Sequence, residues 1–126
     1  SSLLLSPCAT AQVPEIPNPQ LNDIARVIPT PNGPVIEYNP IVCQQAGTLI
    51  CGFFRTHEYG HVVLGHGYRS QWPQQMEAEA DCWAAANASA AEVNAAYVFF
   101  QNGGGGTFVH GTGPQRAQRL LMCARR

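Results

Sequence analysis

Between residues 48 and 64, apolar side chains and two histidines recur every three or four positions: Ile50, Phe54, His57, His61 and Leu64. That spacing lays them along one stripe of a helix. Thr48 is an acceptable cap at its start and Gly65 an acceptable stop. A second helix is predicted from Pro73 through Ala86, and a third over 89–101, carrying Val93, Ala96, Tyr97 and Phe100. A fourth starts at Pro114, a favourable first helical position, and carries Ala117, Leu120 and Leu121. Upstream, Arg26-Val27-Ile28 and Val35-Ile36-Glu37-Tyr38 flank the turn signal Pro31-Asn32-Gly33-Pro34. This predicts a small hairpin, and Pro34 assigns its second strand to an edge. Asn39-Pro40 then breaks the strand. Eight of the ten prolines lie in the first 40 residues. Residues 12–32 therefore read as an extended, proline-rich arm with at most one turn of helix over 21–26. The expected fold class is α+β and mostly helical, with about four helices and one small sheet, in a domain spanning 33–126.

The chain has 126 residues, enough for one domain. Charged residues are only 12%, the net charge is −1, and all seven basic residues are arginine. That is not the basic footprint of a nucleic-acid or anionic-membrane binder. No run approaches the roughly 18 apolar residues of a membrane span. Leu3-Leu4-Leu5 followed by Ala9-Thr10-Ala11 reads as the tail of a secretory signal over residues 1–11, cleaved after Ala11. Cleavage removes Cys8 and leaves Cys43, Cys51, Cys82 and Cys123, an even set that suggests two disulfides in a secreted or periplasmic protein. Cys43–Cys51 would pin the start of the 48–64 helix to the preceding strand. Cys82–Cys123 would close a loop of about 40 residues and tie the second helix to the last.

All four histidines lie between positions 57 and 110, in the company of Glu58, Glu77 and Asp81. His57-Glu58-Tyr59-Gly60-His61 is an H-E-x-x-H motif. Histidines at i and i+4 share a helix face, so both imidazoles reach one Zn2+, and the glutamate between them can take a proton from water. A third protein ligand must come from elsewhere. The metzincin form needs glycine and histidine where this chain has Leu64 and Gly67, so that class is excluded. His66 falls one residue early, which makes it solvent-facing or an indirect support. Glu77 is the better candidate: Glu77 and Asp81 share a helix face while Glu79 points nearly the opposite way. One carboxylate could bind zinc and the other accept the N–H of a ligand histidine. Ala80, Ala84 and Ala88 would let the two helices approach closely.

With its Glu77-Ala78-Glu79-Ala80-Asp81 stretch the chain resembles the gluzincin zinc peptidases, whose third ligand is the first glutamate of E-x-x-x-D. His110, six residues before Arg116, is similar to the H-P-x-x-x-x-R segment of the CAAX-prenyl-protease-like branch, with Gly111 in place of the proline. The small size resembles the minimal single-domain gluzincins. The resemblance implies a zincin-like fold, Glu77 as ligand, and His110 lining the cleft to stabilise an oxyanion. Tyr59 is the rival donor, but it sits about 200° around the helix from His57. The resulting expectation is a secreted zinc endopeptidase with His57, His61 and Glu77 as ligands, Glu58 as general base, Asp81 orienting a ligand, and a peptide or protein as substrate. The alternative is a non-catalytic, zinc-stabilised secreted binding module.

Overall fold

The computed structural model describes residues 13–68 and 73–124, so the expected signal remnant lies outside the described residues. Three strands, β1 (Glu15–Pro17), β2 (Ala25–Ile28) and β3 (Val35–Tyr38), precede five helices. These are α1 (Pro40–Ala46), α2 (Thr48–Val63), α3 (Pro73–Asn87), α4 (Ala90–Gln101) and α5 (Gly113–Ala124), with a short 3-10 turn, His66–Tyr68, after α2. The mostly helical α+β class is as expected.

The hairpin forms where the turn signal placed it. β2 and β3 pair antiparallel, from Ala25 opposite Tyr38 to Ile28 opposite Val35, and Thr30 and Gly33 exchange backbone hydrogen bonds across the turn. Gly33 adopts φ 112°, which only glycine takes without strain. β3 is not an edge strand, however. β1 pairs parallel to its other side, giving the order β1-β3-β2. Pro34 lies just before β3, so its missing N–H costs no ladder bond. No helical turn forms over 21–26; Leu21 is buried, the chain bends, and Ala25 enters β2 as a buried residue.

Asn39 does more than break a strand. Its side-chain oxygen accepts from the Ile41 and Val42 amides, capping α1, while Nδ2 donates to the Leu21 carbonyl at 2.9 Å. Pro40 takes the first helical position, where no N–H is needed. This helix carries no buried residue and hence no stripe to reveal it. At α2 the cap position is Gly47, at φ 98°, rather than Thr48, and Gly65, at φ 70°, turns the chain after the last carbonyls are satisfied. Ser89 and Glu92 form a reciprocal capping box on α4.

The helices enclose a core of Phe53, Ala84, Ala96, Phe100, Ala117 and Leu120. α2 and α3 meet through small residues. Ala80 and Ala84 are fully buried, and a Cβ on Gly60 would stand 3.3 Å from the Ala80 carbonyl oxygen. Disulfides join Cys43 to Cys51 and Cys82 to Cys123, the expected pairing, with Cα–Cα distances of 5.0 and 5.1 Å. The first links α1 to α2, the second α3 to α5. Among the described residues no helix is long and apolar enough to cross a membrane.

Candidate metal centre

The close contact of α2 and α3 brings their polar faces together. His57 Nε2 lies 2.9 Å from Glu77 Oε1, His61 Nε2 lies 3.1 Å from the same oxygen, and the two imidazole nitrogens are 3.2 Å apart. His57 is buried, and its Nδ1 is 2.8 Å from Asp81 Oδ1. Asp81 only accepts, so His57 Nδ1 carries the hydrogen and a neutral His57 turns a bare Nε2 toward the Glu77 carboxylate. Two acceptors at that distance repel unless a positive centre lies between them. A proton can serve, and so can a cation. Donor atoms of a tetrahedral ion bound at about 2 Å stand roughly 3.3 Å apart, close to the three separations here. The groups His57–Glu77–His110 and His57–Glu58–His61, each with donor atoms within 4.8 Å of one another, could hold a metal ion.

Electrostatics reflect this convergence in the metal-free chain. Burial alone would lower the His57 pKa, but the hydrogen bonds with Asp81 and Glu77 outweigh it and raise the value to about 9. Burial also opposes ionisation of Glu77, yet hydrogen bonds from His110, His57 and His61 hold it well below the usual carboxylate range. Asp81 is depressed for the same kind of reason, against burial, by His57 and Arg116. Glu58, whose Oε2 is 3.9 Å from His57 Nε2, is pushed up by burial.

Asp81 is fully buried and anchored from α5. Arg116 Nε and Nη2 donate to its two oxygens at 3.0 and 2.7 Å, and Arg119 Nη1 donates to Oδ2 at 2.7 Å. Arg116 is itself buried, stacked 4.3 Å over the Phe100 ring, and its Nη1 donates to the Gly105 carbonyl. That last bond pulls the tetraglycine segment onto the core. A Cβ at Gly104 would strike the Phe99 ring, and one at Gly105 the Phe100 ring. The segment, residues 103–106, is therefore a packed turn.

From that turn His110 reaches back to the centre. Its Nε2 is 2.8 Å from Glu77 Oε1, and Thr107 Oγ1 contacts both its Nδ1 and its backbone N–H. With the carboxylate accepting, Nε2 is the donor and Nδ1 accepts from the threonine hydroxyl. Tyr59 points the other way, as expected: its hydroxyl donates to the Val13 carbonyl and to Glu15. His66 is not solvent-facing. It is buried and spans His61 and Glu79, which places Glu79 outside the Glu77 cluster.

Two hollows flank the centre. One, of about 510 Å³, runs along β2 and is walled by His61, Glu77 and Met76. The other, of about 450 Å³, is lined by Val42, Ile50, Phe54 and Phe99. Glu58 and His110 line both. Sequence reasoning missed Gly60, Thr107 and Arg119. Gly60 could have been found as the one small residue of α2 opposite the alanines of α3, whereas nothing local marks Thr107 or Arg119. No family model matches the sequence, and no curated protein or solved structure matches the chain.

Proposed function

We propose that the protein is a zinc-dependent endopeptidase of the gluzincin type. One observation carries this reading: three donor atoms, from His57, His61 and Glu77, face one another within 3.2 Å, with the Glu58 carboxylate beside them on the wall of a cleft. These three residues would hold Zn2+, which when bound polarises the scissile carbonyl and acidifies water. The chain's own side chains do the rest. Glu58 takes the proton of the attacking water and passes it to the leaving amine; its raised carboxyl brings it nearer the working pH. His110, held by Thr107 with Nε2–H toward the centre, donates to the carbonyl oxygen as it gains charge. Asp81 keeps His57 in the tautomer that leaves Nε2 free. A peptide would lie across both hollows, and the Val42–Ile50–Phe54–Phe99 side suits an apolar residue next to the cleaved bond. The two disulfides fit export to an oxidising compartment.

The test is to assay purified protein for bound zinc and for cleavage of an unfolded protein, with and without chelator. Stoichiometric zinc with chelator-sensitive cleavage supports the reading. Zinc-loaded protein that cuts nothing overturns it.

A second reading, the secreted binding module with a purely structural metal, is favoured by one distance. His110 Nε2 is 2.8 Å from Glu77 Oε1 and belongs to a potential donor group with His57 and Glu77. A fourth protein donor would close the site, as structural zinc sites are closed. His110→Ala then lowers zinc affinity sharply, whereas the catalytic reading expects affinity to hold and turnover to fall.

A further inference from the structure

His66 sits in the 3-10 turn just after α2, brought back over the helix end by the left-handed Gly65 at φ 70°. Its Nδ1 is 2.8 Å from His61 Nδ1, and its Nε2 is 2.8 Å from Glu79 Oε1. Two imidazole nitrogens at that separation share one hydrogen, so one donates and the other accepts. The order is fixed from the outer end. The Glu79 carboxylate only accepts, so His66 Nε2 carries a hydrogen. A neutral His66 then presents a bare Nδ1, and His61 Nδ1 must donate to it. That leaves the lone pair of His61 Nε2 facing His57 and Glu77, the one tautomer of His61 that can bind a cation there. Asp81 does the same for His57 from the other side.

We infer that His66 and Glu79 are positioning residues for the metal, fixing the ring orientation and tautomer of His61 through a relay from Glu79 through His66 to His61. The inference rests on the metal-centre reading and holds whether that centre is catalytic or structural.

Donor–acceptor polarity supplies the test. His66→Gln still accepts from His61 and donates to Glu79, His66→Leu does neither, and His66→Arg can only donate. Glu79→Leu removes the outer acceptor at a position whose side chain is one-third exposed, and so tests the relay without disturbing the buried His66. Zinc affinity by chelator competition and the visible spectrum of the Co2+-substituted protein are read for each. The expected result is a loss of about 10- to 100-fold with a changed spectrum for His66→Leu and His66→Arg. His66→Gln should stay near native, and Glu79→Leu should show a smaller loss. Wild-type affinity in His66→Leu, or His66→Gln as damaged as His66→Leu, overturns the relay. So does complete loss of metal in His66→Leu equal to that in Glu77→Gln, which would make His66 a ligand. If the wild-type chain binds no zinc, the metal-centre reading fails and the relay with it, a result distinct from all of these.

Discussion

Asp81 is the residue on which the centre turns. One buried carboxylate accepts from His57, Arg116 and Arg119 at once, which satisfies it fully. Removing a partner strands a buried charge. Arg116→Met should cost about 3 kcal/mol, the low end for a broken buried pair, because Arg119 remains; denaturant melts check this. At Glu58 the expected outcome separates binding from chemistry. Glu58→Gln should keep zinc and fold while turnover falls below detection, and a variant that keeps most of its rate would refute the general-base role. His57 gives a pH dependence with a definite sign. Against the lowering effect of burial, Asp81 and Glu77 raise its pKa to about 9 in the metal-free protein. A raised imidazole contributes stability that is complete below its unfolded value of about 6.5 and lost as pH climbs through the folded value. The depressed Asp81 contributes above its unfolded value of about 3.8 and loses that only in acid. Metal-free stability should therefore decline between about pH 6.5 and about 9. A cation needs the neutral ring, so zinc affinity should rise across the same window. Thermal melts with and without chelator should show the gap widening across that window, and a gap that narrows would contradict the assignment.

The helices with an apolar stripe were legible from spacing, because burial against a core is what spacing records. α2, α3, α4 and α5 all fall within a few residues of their expected starts. α1 was not, because it buries nothing; its signal was the Asn39-Pro40 pair, which doubles as a strand terminator and as a cap with a first-turn proline. The parallel addition of β1 was invisible for a different reason: three residues carry no period, and their partner lies about 20 residues away in sequence. The tetraglycine turn shows what composition alone does not record. Gly104, Gly105 and Gly106 are required by contact, with aromatic rings or backbone occupying the space of a side chain, and Gly103 by its φ of 96°. Gly113, where α5 starts, is the clearest case. An added Cβ there would meet the Phe100 and Gly104 carbonyl oxygens, neither of which can swing aside. Gly113→Ala should destabilise by about 1–3 kcal/mol and weaken the hold on His110, whereas Gly67→Ala, with open space around it, should change stability by under about 0.5 kcal/mol. Urea midpoints for the two variants provide the measurement.

At the scale of the whole molecule, the site is an agreement among distant segments, and only part of it could be read from the chain. The i and i+4 histidines and the Glu77–Asp81 pair follow from helical geometry, so their shared faces were legible. The arginines on α5 that hold Asp81 were not assigned that role, because 35 and 38 residues separate them from it and no local pattern spans that distance. The Cys82–Cys123 disulfide spans nearly the same gap: it ties α3, which carries Glu77 and Asp81, to α5, which carries Arg116 and Arg119. The two bridges should then differ in kind as well as in size. Their sequence separations are 8 and 41 residues, for which the loss of unfolded-chain entropy gives roughly 2.5 and roughly 4 kcal/mol. Replacing Cys82 and Cys123 by serine should cost more stability than replacing Cys43 and Cys51. It should also lower zinc affinity, since the arginine hold on Asp81, and through it the orientation of His57, depends on α5 staying against α3. The Cys43–Cys51 pair joins α1 to the start of α2, about two turns from His57, and its loss should leave zinc affinity near native. Paired denaturant melts and chelator competition on the two double variants decide the matter. Equal affinity losses in both would mean that the bridges act only through global stability, and a larger loss for the Cys43–Cys51 variant would show that the centre is held from α1 rather than from α5.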